Sequence, residues 1–192
     1  TTSGSTVDLT NQTEGFKITV GGQTDSITAS DGNDIIIITS AGDGNNDTLI
    51  GGSGDDVINL SAGSHTFSDN AKLATIETIN ANASATTLDL TGQLEGFTIA
   101  GGAQGDNLTG GSGNDIITGG GGDDTLKGGA GNDTLNVDSG SDIITLLGGA
   151  GAGGEDDVLV VSNGATATAA NIINFVATTG TTNAGTAILS VK

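Results

Sequence analysis

One large apolar side chain recurs every nine residues along the second half of the chain, at Ile117, Leu126 and Leu135, and an aspartate stands two places before each, at Asp115, Asp124 and Asp133. Three contiguous rows, 110–118, 119–127 and 128–136, share one template: glycine in the first, second and fourth places, Asp in the sixth, Ile or Leu in the eighth. The last three residues of a row, such as Ile116-Ile117-Thr118, suit a short strand whose middle side chain turns inward, because successive side chains of a strand point to opposite faces. The glycines ahead of them suit a tight turn that needs positive φ and close approach of a second turn. Turn, strand, turn, strand makes a coil of eighteen residues, and stacked coils pair their strands in parallel about 4.8 Å apart. This spacing places Asp106, Asp124 and Asp142 along one edge of the stack and Asp115 and Asp133 along the other.

The same relation extends more loosely to Asp106 with Leu108, Asp142 with Ile144 and, after a glycine-rich insertion, Asp157 with Leu159. An earlier block repeats it at Asp25 and Ile27, Asp34 and Ile36, Asp47 and Leu49, and Asp56 and Ile58, and its row 51–59 fits the template fully. A longer repeat lies above the short one. Val7-Asp8-Leu9-Thr10, Gln12, Glu14-Gly15-Phe16 and Ile18 match Leu88-Asp89-Leu90-Thr91, Gln93, Glu95-Gly96-Phe97 and Ile99, each 81 positions on. The chain therefore reads as an array, one continuous all-β solenoid over 1–192. Its first unit covers about 7–87, with rows at 20–59, and its second about 88–164, with rows at 101–160; residues 165–192 form a cap or a continuation. Phe16 and Phe97 are expected to plug the core at the start of each unit. Residues 165–175 suit a short helix or another strand pair.

Composition changes the picture in two ways. Glycine at 35 of 192 positions with a net charge of −19 would suit a chain that never folds, but strict periodicity argues for order. The absence of cysteine excludes a disulfide frame, a thiolate zinc site and a cysteine nucleophile, and the single His65 leaves little for histidine chemistry. Four lysines and no arginine against 23 carboxylates would repel nucleic acid and anionic membrane and attract cations. The longest apolar runs, 35–38 and 158–161, fall far short of the ~20 residues of a membrane span, so no membrane insertion is expected. The chain starts Thr1-Thr2-Ser3-Gly4, without Met or a signal-peptide core, and is expected to be a piece of something longer.

Stacking also sets an electrostatic problem. Carboxylates on neighbouring turns repel one another, and glycine carbonyls face the same gap. A hard divalent cation relieves both. Calcium takes 6 to 8 oxygen ligands in tolerant geometry, whereas magnesium demands a tighter octahedron. One buried Ile or Leu per row is a thin core for so glycine-rich a backbone, so the repeat blocks are expected to be largely unfolded without calcium and to fold as they bind several ions.

These rows resemble the repeats-in-toxin (RTX) family, whose nonapeptide is Gly-Gly-x-Gly-x-Asp-x-U-x with U a large apolar residue. The resemblance is closest over 51–59 and 110–136 and looser over 20–50, 101–109 and 137–160. It implies a parallel β-roll with calcium held between successive turns by the sixth-place Asp and by carbonyls of the opening glycines. Here those are Asp115, Asp124 and Asp133 with Gly110, Gly111, Gly113, Gly119, Gly120, Gly122, Gly128, Gly129 and Gly131, and Asp56 with Gly51, Gly52 and Gly54. Asp25, Asp34, Asp47, Asp106, Asp142 and Asp157 are the looser candidates. Their rows depart from the pattern at Gln104, at Val137 and Asp138, and at Ala29-Ser30. The family further implies export by a one-step type I route and folding outside the cell. The segments between blocks and the Thr, Ala, Gly, Asn and Asp bias look most like those of surface-layer proteins.

Other motifs have plainer readings. Asp43-Gly-Asn45-Asn-Asp47 alternates oxygen ligands like the start of an EF-hand loop, but Thr48 and Gly54 stand where that loop needs Gly and Glu; a local calcium site at Asp43 and Asp47 in a widened turn, or an ordinary solvated loop, is expected instead. Gly149 to Gly154 formally matches a dinucleotide fingerprint, yet Glu155-Asp156-Asp157 would repel a pyrophosphate, so a flexible insertion is expected. His65 near Ser68 and Asp69 is read as a surface histidine in a loop, not a triad. In Asp55-Asp56 and Asp123-Asp124 the second member takes the ligand place and the first faces solvent. An ice-binding ladder is missing, because the third row place is Ser53, Ser112, Gly121 or Ala130 and never Thr.

The expected role is a non-enzymatic, calcium-loaded structural module of an extracellular bacterial protein, a surface-layer subunit. Its partners would be calcium ions and either further copies of itself in a lattice or cell-surface polysaccharide. The alternatives are the export and folding module of a larger secreted toxin or hydrolase, and an adhesin stalk or tip.

Overall fold

The computed structural model describes residues 4–41, 46–81, 84–146, 157–162, 164–169 and 188–191. Their strands are β1 (Thr6–Asp8), β2 (Lys17–Val20), β3 (Ser26–Thr28), β4 (Ile35–Ile38), β5 (Thr48–Ile50), β6 (Val57–Leu60), β7 (Gly63–Thr66), β8 (Leu73–Ala74), β9 (Thr78–Asn80) and β10 (Thr86–Asp89). The second half adds β11 (Thr98–Ala100), β12 (Asn107–Thr109), β13 (Ile116–Thr118), β14 (Thr125–Lys127), β15 (Thr134–Val137), β16 (Ser141–Leu146), β17 (Val158–Val161), β18 (Thr166–Ala169) and β19 (Ile188–Val191). No helix forms among the described residues.

Each coil lays one strand on a front sheet and one on a rear sheet, with every pairing parallel. The front sheet has eight strands in the order β17-β15-β13-β11-β9-β6-β4-β2. The rear is divided between a sheet of β1-β3-β5-β8 and one of β19-β18-β16-β14-β12-β10-β7. In the second block the register follows the predicted eighteen-residue coil, with Asn107 opposite Thr125 and Ile116 opposite Thr134. In the first block Ser26 pairs with Thr48 and Ile35 with Val57, because nine residues separate β4 from β5 where six separate β12 from β13.

The core is a narrow column filled from both sheets, with Val20, Ile38, Leu60 and Val137 adding a second inward position along the front strands. Ile117, Leu126 and Leu135, predicted inward, are wholly buried, as are Leu108 and Ile144, with Ile36, Leu49, Ile58, Ile79, Leu88 and Ile99 continuing the column. Each is the inward member of a short strand, and its neighbours face out.

The 81-residue duplication is structural as well as sequential. Thr10 and Thr91 donate backbone N–H bonds to Asp8 and Asp89 Oδ1 at 3.1 and 3.0 Å, and Gln12 and Gln93 donate to the carbonyls of Leu9 and Leu90 at 2.8 Å each. Phe97 is buried as expected, whereas Phe16 is only half-buried. The difference is the neighbouring coil. The second copy lies against residues 61–74, where Gln93 Nε2 donates to the Phe67 carbonyl at 2.6 Å, and no described coil covers the first.

That intervening coil departs from the rest. It carries two rear strands, β7 paired with β10 and β8 paired with β5, so the rear face passes from one sheet to the other. His65 lies here, and the expectation of a surface loop is overturned: it sits on β7 with no exposed surface, its Nε2 2.9 Å from the Ser61 carbonyl. Strand alternation turns His65 and Phe67 inward, while Ser68 and Asp69 lie exposed past the strand's end, so no triad assembles. In the tail, residues 166–169 form a strand rather than a helix; 170–187 and the insertion 149–154 lie outside the described residues.

Truncating Leu126 to Ala should therefore lower the stability of the calcium-loaded chain by about 2 to 5 kcal/mol, whereas Ile116→Ala on the outward side should change it by no more than about 0.5 kcal/mol. Guanidinium unfolding midpoints of the two variants test this; equal shifts would contradict the inward placement of Leu126.

Candidate calcium-binding turns

The sixth row place comes just before the strand, two residues ahead of the buried apolar side chain. The alternation that turns Leu126 inward therefore turns Asp124 inward too, at the rim of the core. Asp34, Asp47, Asp56, Asp115, Asp124, Asp133 and Asp142 are all at most 1% exposed, and Asp25 and Asp106 are 4% exposed. Carboxylates are almost never buried this far without partners that compensate for lost water.

One oxygen of each is compensated by stacking. The backbone N–H of Asp106 donates to Asp124 Oδ1 and that of Asp124 to Asp142 Oδ1, both at 2.8 Å. On the other edge Phe97, Asp115 and Asp133 donate to Asp115, Asp133 and Asp157 Oδ1, again at 2.8 Å. In the first block Asp25 donates to Asp47 and Asp34 to Asp56, at 2.7 Å each. The two predicted edges are thus two columns of stacked carboxylates, one leading into the front sheet and one into the rear. Phe97 occupies the sixth place of its row, in the front column itself, which is why it reaches the core.

The second oxygen divides the rows into two kinds. Asp106 and Asp115 Oδ2 accept the N–H of their own second-place residues, Gly102 at 2.8 Å and Gly111 at 2.9 Å, and Asp34 Oδ2 accepts both N–H and hydroxyl of Ser30 at 2.9 Å. Asp56, Asp124 and Asp142 Oδ2 are buried with no hydrogen-bond partner. In the rows of Asp56 and Asp124 the second glycine is left-handed, φ +110° at Gly52 and +94° at Gly120, a conformation open to glycine at little cost. The fourth places Gly54, Gly122 and Gly131 are left-handed as well.

The opening glycines leave room for the acid. A Cβ on Gly119 or Gly128 would collide with Oδ2 of Asp124 or Asp133, and one on Gly110 with both Asp115 Oδ2 and the Gly128 carbonyl oxygen. A Cβ on Gly129 would strike the Gly111 carbonyl oxygen, and on Gly113 the backbone at Glu95 and Gly96. Some of these carbonyls also bind the next turn: Gly102 and Gly111 accept the N–H of Gly121 at 2.8 Å and Ala130 at 3.1 Å. A carbonyl oxygen has a second lone pair for another partner. Asp55 and Asp123 face solvent as expected. Asp123 Oδ1 also accepts the Ser141 N–H at 2.8 Å, part of an outer fifth-place ladder shared with Asn114 and Asn132.

Burial pushes the Asp124 carboxyl up to about 6, helped by the charges of Asp142, Asp106 and Asp123, against the lowering effect of the Asp106 N–H. Burial likewise raises Asp56, Asp115 and Asp142. Among the described residues no three acidic or histidine side chains converge on one point, so a cation between turns would draw on stacked carboxylates and main-chain carbonyls together. The orphaned oxygens of Asp56, Asp124 and Asp142 fit a hard, oxygen-seeking ion. Asp43 lies outside the described residues.

Sequence reasoning missed two features: the N–H ladder, and Glu77, whose Oε2 accepts the Asp56 N–H at 2.7 Å in the front column. Glu77-Thr78-Ile79 repeats the acid, any, apolar spacing of Asp56-Val57-Ile58, a signal present in the sequence.

A raised carboxyl binds its proton more tightly in the fold than in the unfolded chain. For Asp124 the resulting stabilisation of the calcium-free fold is fully present below about 3.8 and is lost as pH rises through about 6. In calcium-free buffer the β signal in circular dichroism should therefore be stronger near pH 4 than at pH 7.5, and the calcium concentration needed for folding should rise below about pH 6 as protons compete. A β signal and a calcium midpoint that do not change with pH would contradict this.

The RTX calcium-binding nonapeptide repeat profile (4 copies) matches residues 17–37, 39–64, 98–126, 109–144 and 118–153, more than half of the chain. These segments take in both repeat blocks. No curated protein and no solved structure matches the chain. The stacked acidic turns are those of this repeat, and the chain belongs to the RTX calcium-binding repeat family, whose repeat builds a calcium-binding structural module and whose members are generally secreted.

Proposed function

We propose that this chain is a structural module whose folding is driven by calcium held between its turns, and that it serves in a bacterial surface layer. The observation that carries the calcium-coupled reading is the set of buried, unpartnered carboxylate oxygens of Asp56, Asp124 and Asp142 in glycine-rich turns. A carboxylate buried with an orphaned oxygen destabilises the metal-free fold, and the same oxygen becomes a ligand once a cation is present. Binding free energy then becomes folding free energy. Asp25, Asp34, Asp47, Asp106, Asp115, Asp133 and Asp157, with the row-opening glycine carbonyls, complete the proposed set along both columns.

The surface-layer part rests on the distribution of charge. Outward positions of the front sheet include Ile35, Val57, Thr78, Thr98, Ile116, Thr134 and Val158 in one file and Thr19, Ile37, Asn59, Asn80, Thr118 and Asn136 in the next. None of its outward residues is a carboxylate, and Lys17 is the one charge. Copies that carry −19 each repel, and this uncharged face is where they can approach at least cost.

Chelation at neutral pH should abolish the β signal, and millimolar calcium should restore it and yield ordered two-dimensional sheets under the electron microscope. Ile116→Asp should keep the calcium-dependent β signal and lose the sheets. A full β signature after exhaustive chelation would overturn the calcium-coupled reading. Monomers at every calcium concentration would overturn the lattice and favour the export module of a larger secreted protein.

A further inference from the structure

The turn between β8 and β9 holds three residues, Thr75, Ile76 and Glu77, where the turn between β12 and β13 holds six. It has none of the repeat's glycines. It nevertheless faces the first block's complete row, 51–59, and its oxygens are aimed at Asp56.

Thr75 is the one non-glycine residue with positive φ among the described residues, at 54°, a region unfavourable for a β-branched side chain. Three contacts hold it there. Its N–H donates to Glu95 Oε2 at 3.1 Å, its hydroxyl donates to the Ala74 carbonyl at 2.7 Å, and its Oγ1 accepts the Gly52 N–H at 2.8 Å. This last bond takes the N–H that would otherwise be available to Asp56, as the Gly111 N–H is to Asp115. The Thr75 carbonyl oxygen points at Gly51, where a Cβ would collide with it and with Asp56 Oδ2 at once, so these two oxygens converge. In the second block the same test at Gly110 meets Asp115 Oδ2 and the Gly128 carbonyl oxygen. Thr75 thus stands in for a first-place glycine of the repeat.

Glu77 stands in for the sixth-place acid. Its extra methylene lets a side chain from the shorter turn reach the Asp56 N–H at 2.7 Å, and the Asp56 carbonyl accepts the N–H of Glu77 at 3.3 Å and of Thr78 at 3.1 Å. Glu77 is exposed, whereas Asp56 is 1% exposed with Oδ2 unpartnered.

We propose that Asp56 Oδ2, the Thr75 carbonyl and the Glu77 carboxylate form a calcium site at the end of the first repeat block, with Glu95 as the residue that positions Thr75. Glu77 and Thr75 lie outside the nonapeptide pattern, so this site goes beyond the motif while resting on the calcium reading above. Solvent completes the shell of 6 to 8 oxygens that calcium requires. The site joins the first block to the irregular coil and extends the front acidic column across the shortened turn.

Equilibrium dialysis with radioactive calcium tests it on the whole chain. Glu77→Gln keeps an acceptor for the Asp56 N–H and removes the charge; it should bind one ion fewer than the wild type, while Asp124→Asn should lose its ion from the second block. An unchanged count in Glu77→Gln beside a reduced count in Asp124→Asn would overturn this site and leave the calcium reading intact. No calcium bound by the wild type would sink both. A second measurement needs no variant: trace Mn2+ added to the calcium-loaded wild type, labelled at glutamate carboxyl carbons, should broaden the Glu77 signal. A sharp Glu77 signal at saturating exchange would also overturn the site.

Discussion

Stacking parallel coils at strand spacing lays chemically equivalent residues directly over one another, and the residue most affected is the sixth-place aspartate. Strand alternation sends it inward beside the core, and the stack sets it under another carboxylate. The ladder of backbone N–H groups onto Oδ1 meets half of that difficulty, at 2.8 Å in turn after turn. The other half falls on Oδ2. It is met by the row's own second-place N–H at Asp106 and Asp115, and left open at Asp56, Asp124 and Asp142. The raised carboxyl of Asp124 expresses the same cost in protons, and a bound cation would express it in metal.

The thin core gives this electrostatics its leverage. A narrow core, mostly Ile and Leu with a few Val, Ala and Phe side chains, cannot fill a wide interior. Turn geometry is fixed instead by backbone against backbone, to the point where Cβ atoms at Gly113, Gly120 or Gly129 have no room. A chain built this way has little redundancy. Whatever occupies the space between acidic turns has an outsized effect on whether the coils stack at all.

The irregular coil at 61–81 shows how far the constraint reaches. It exchanges one rear sheet for another and buries His65 and Gln93, polar groups that the nonapeptide rows never place inside. Yet the front acidic column crosses it through Glu77, with the strand register of Ile58 against Ile79 preserved. The front-sheet face outside that column stays free of carboxylates from Lys17 to Val160.

Periodicity made much of this legible. An apolar residue every ninth place and an acid two places earlier fix strand, turn, inward face and the eighteen-residue coil, since side-chain alternation is a local property of extended backbone. The 81-residue duplication likewise carried over into matching turns at Asp8 and Asp89. What the sequence could not determine depends on contacts between coils. The peptide orientations that cap Asp115 but not Asp124 are set by the turns above and below, and the fate of His65 is set by a strand with no nonapeptide signature. Thr75 takes a left-handed conformation only because Glu95 and Gly52, distant along the chain, hold it there. Local sequence thus specifies the rung, while the pairing of rungs selects the backbone state within each turn, because the hydrogen bonds that decide it come from residues about one coil away.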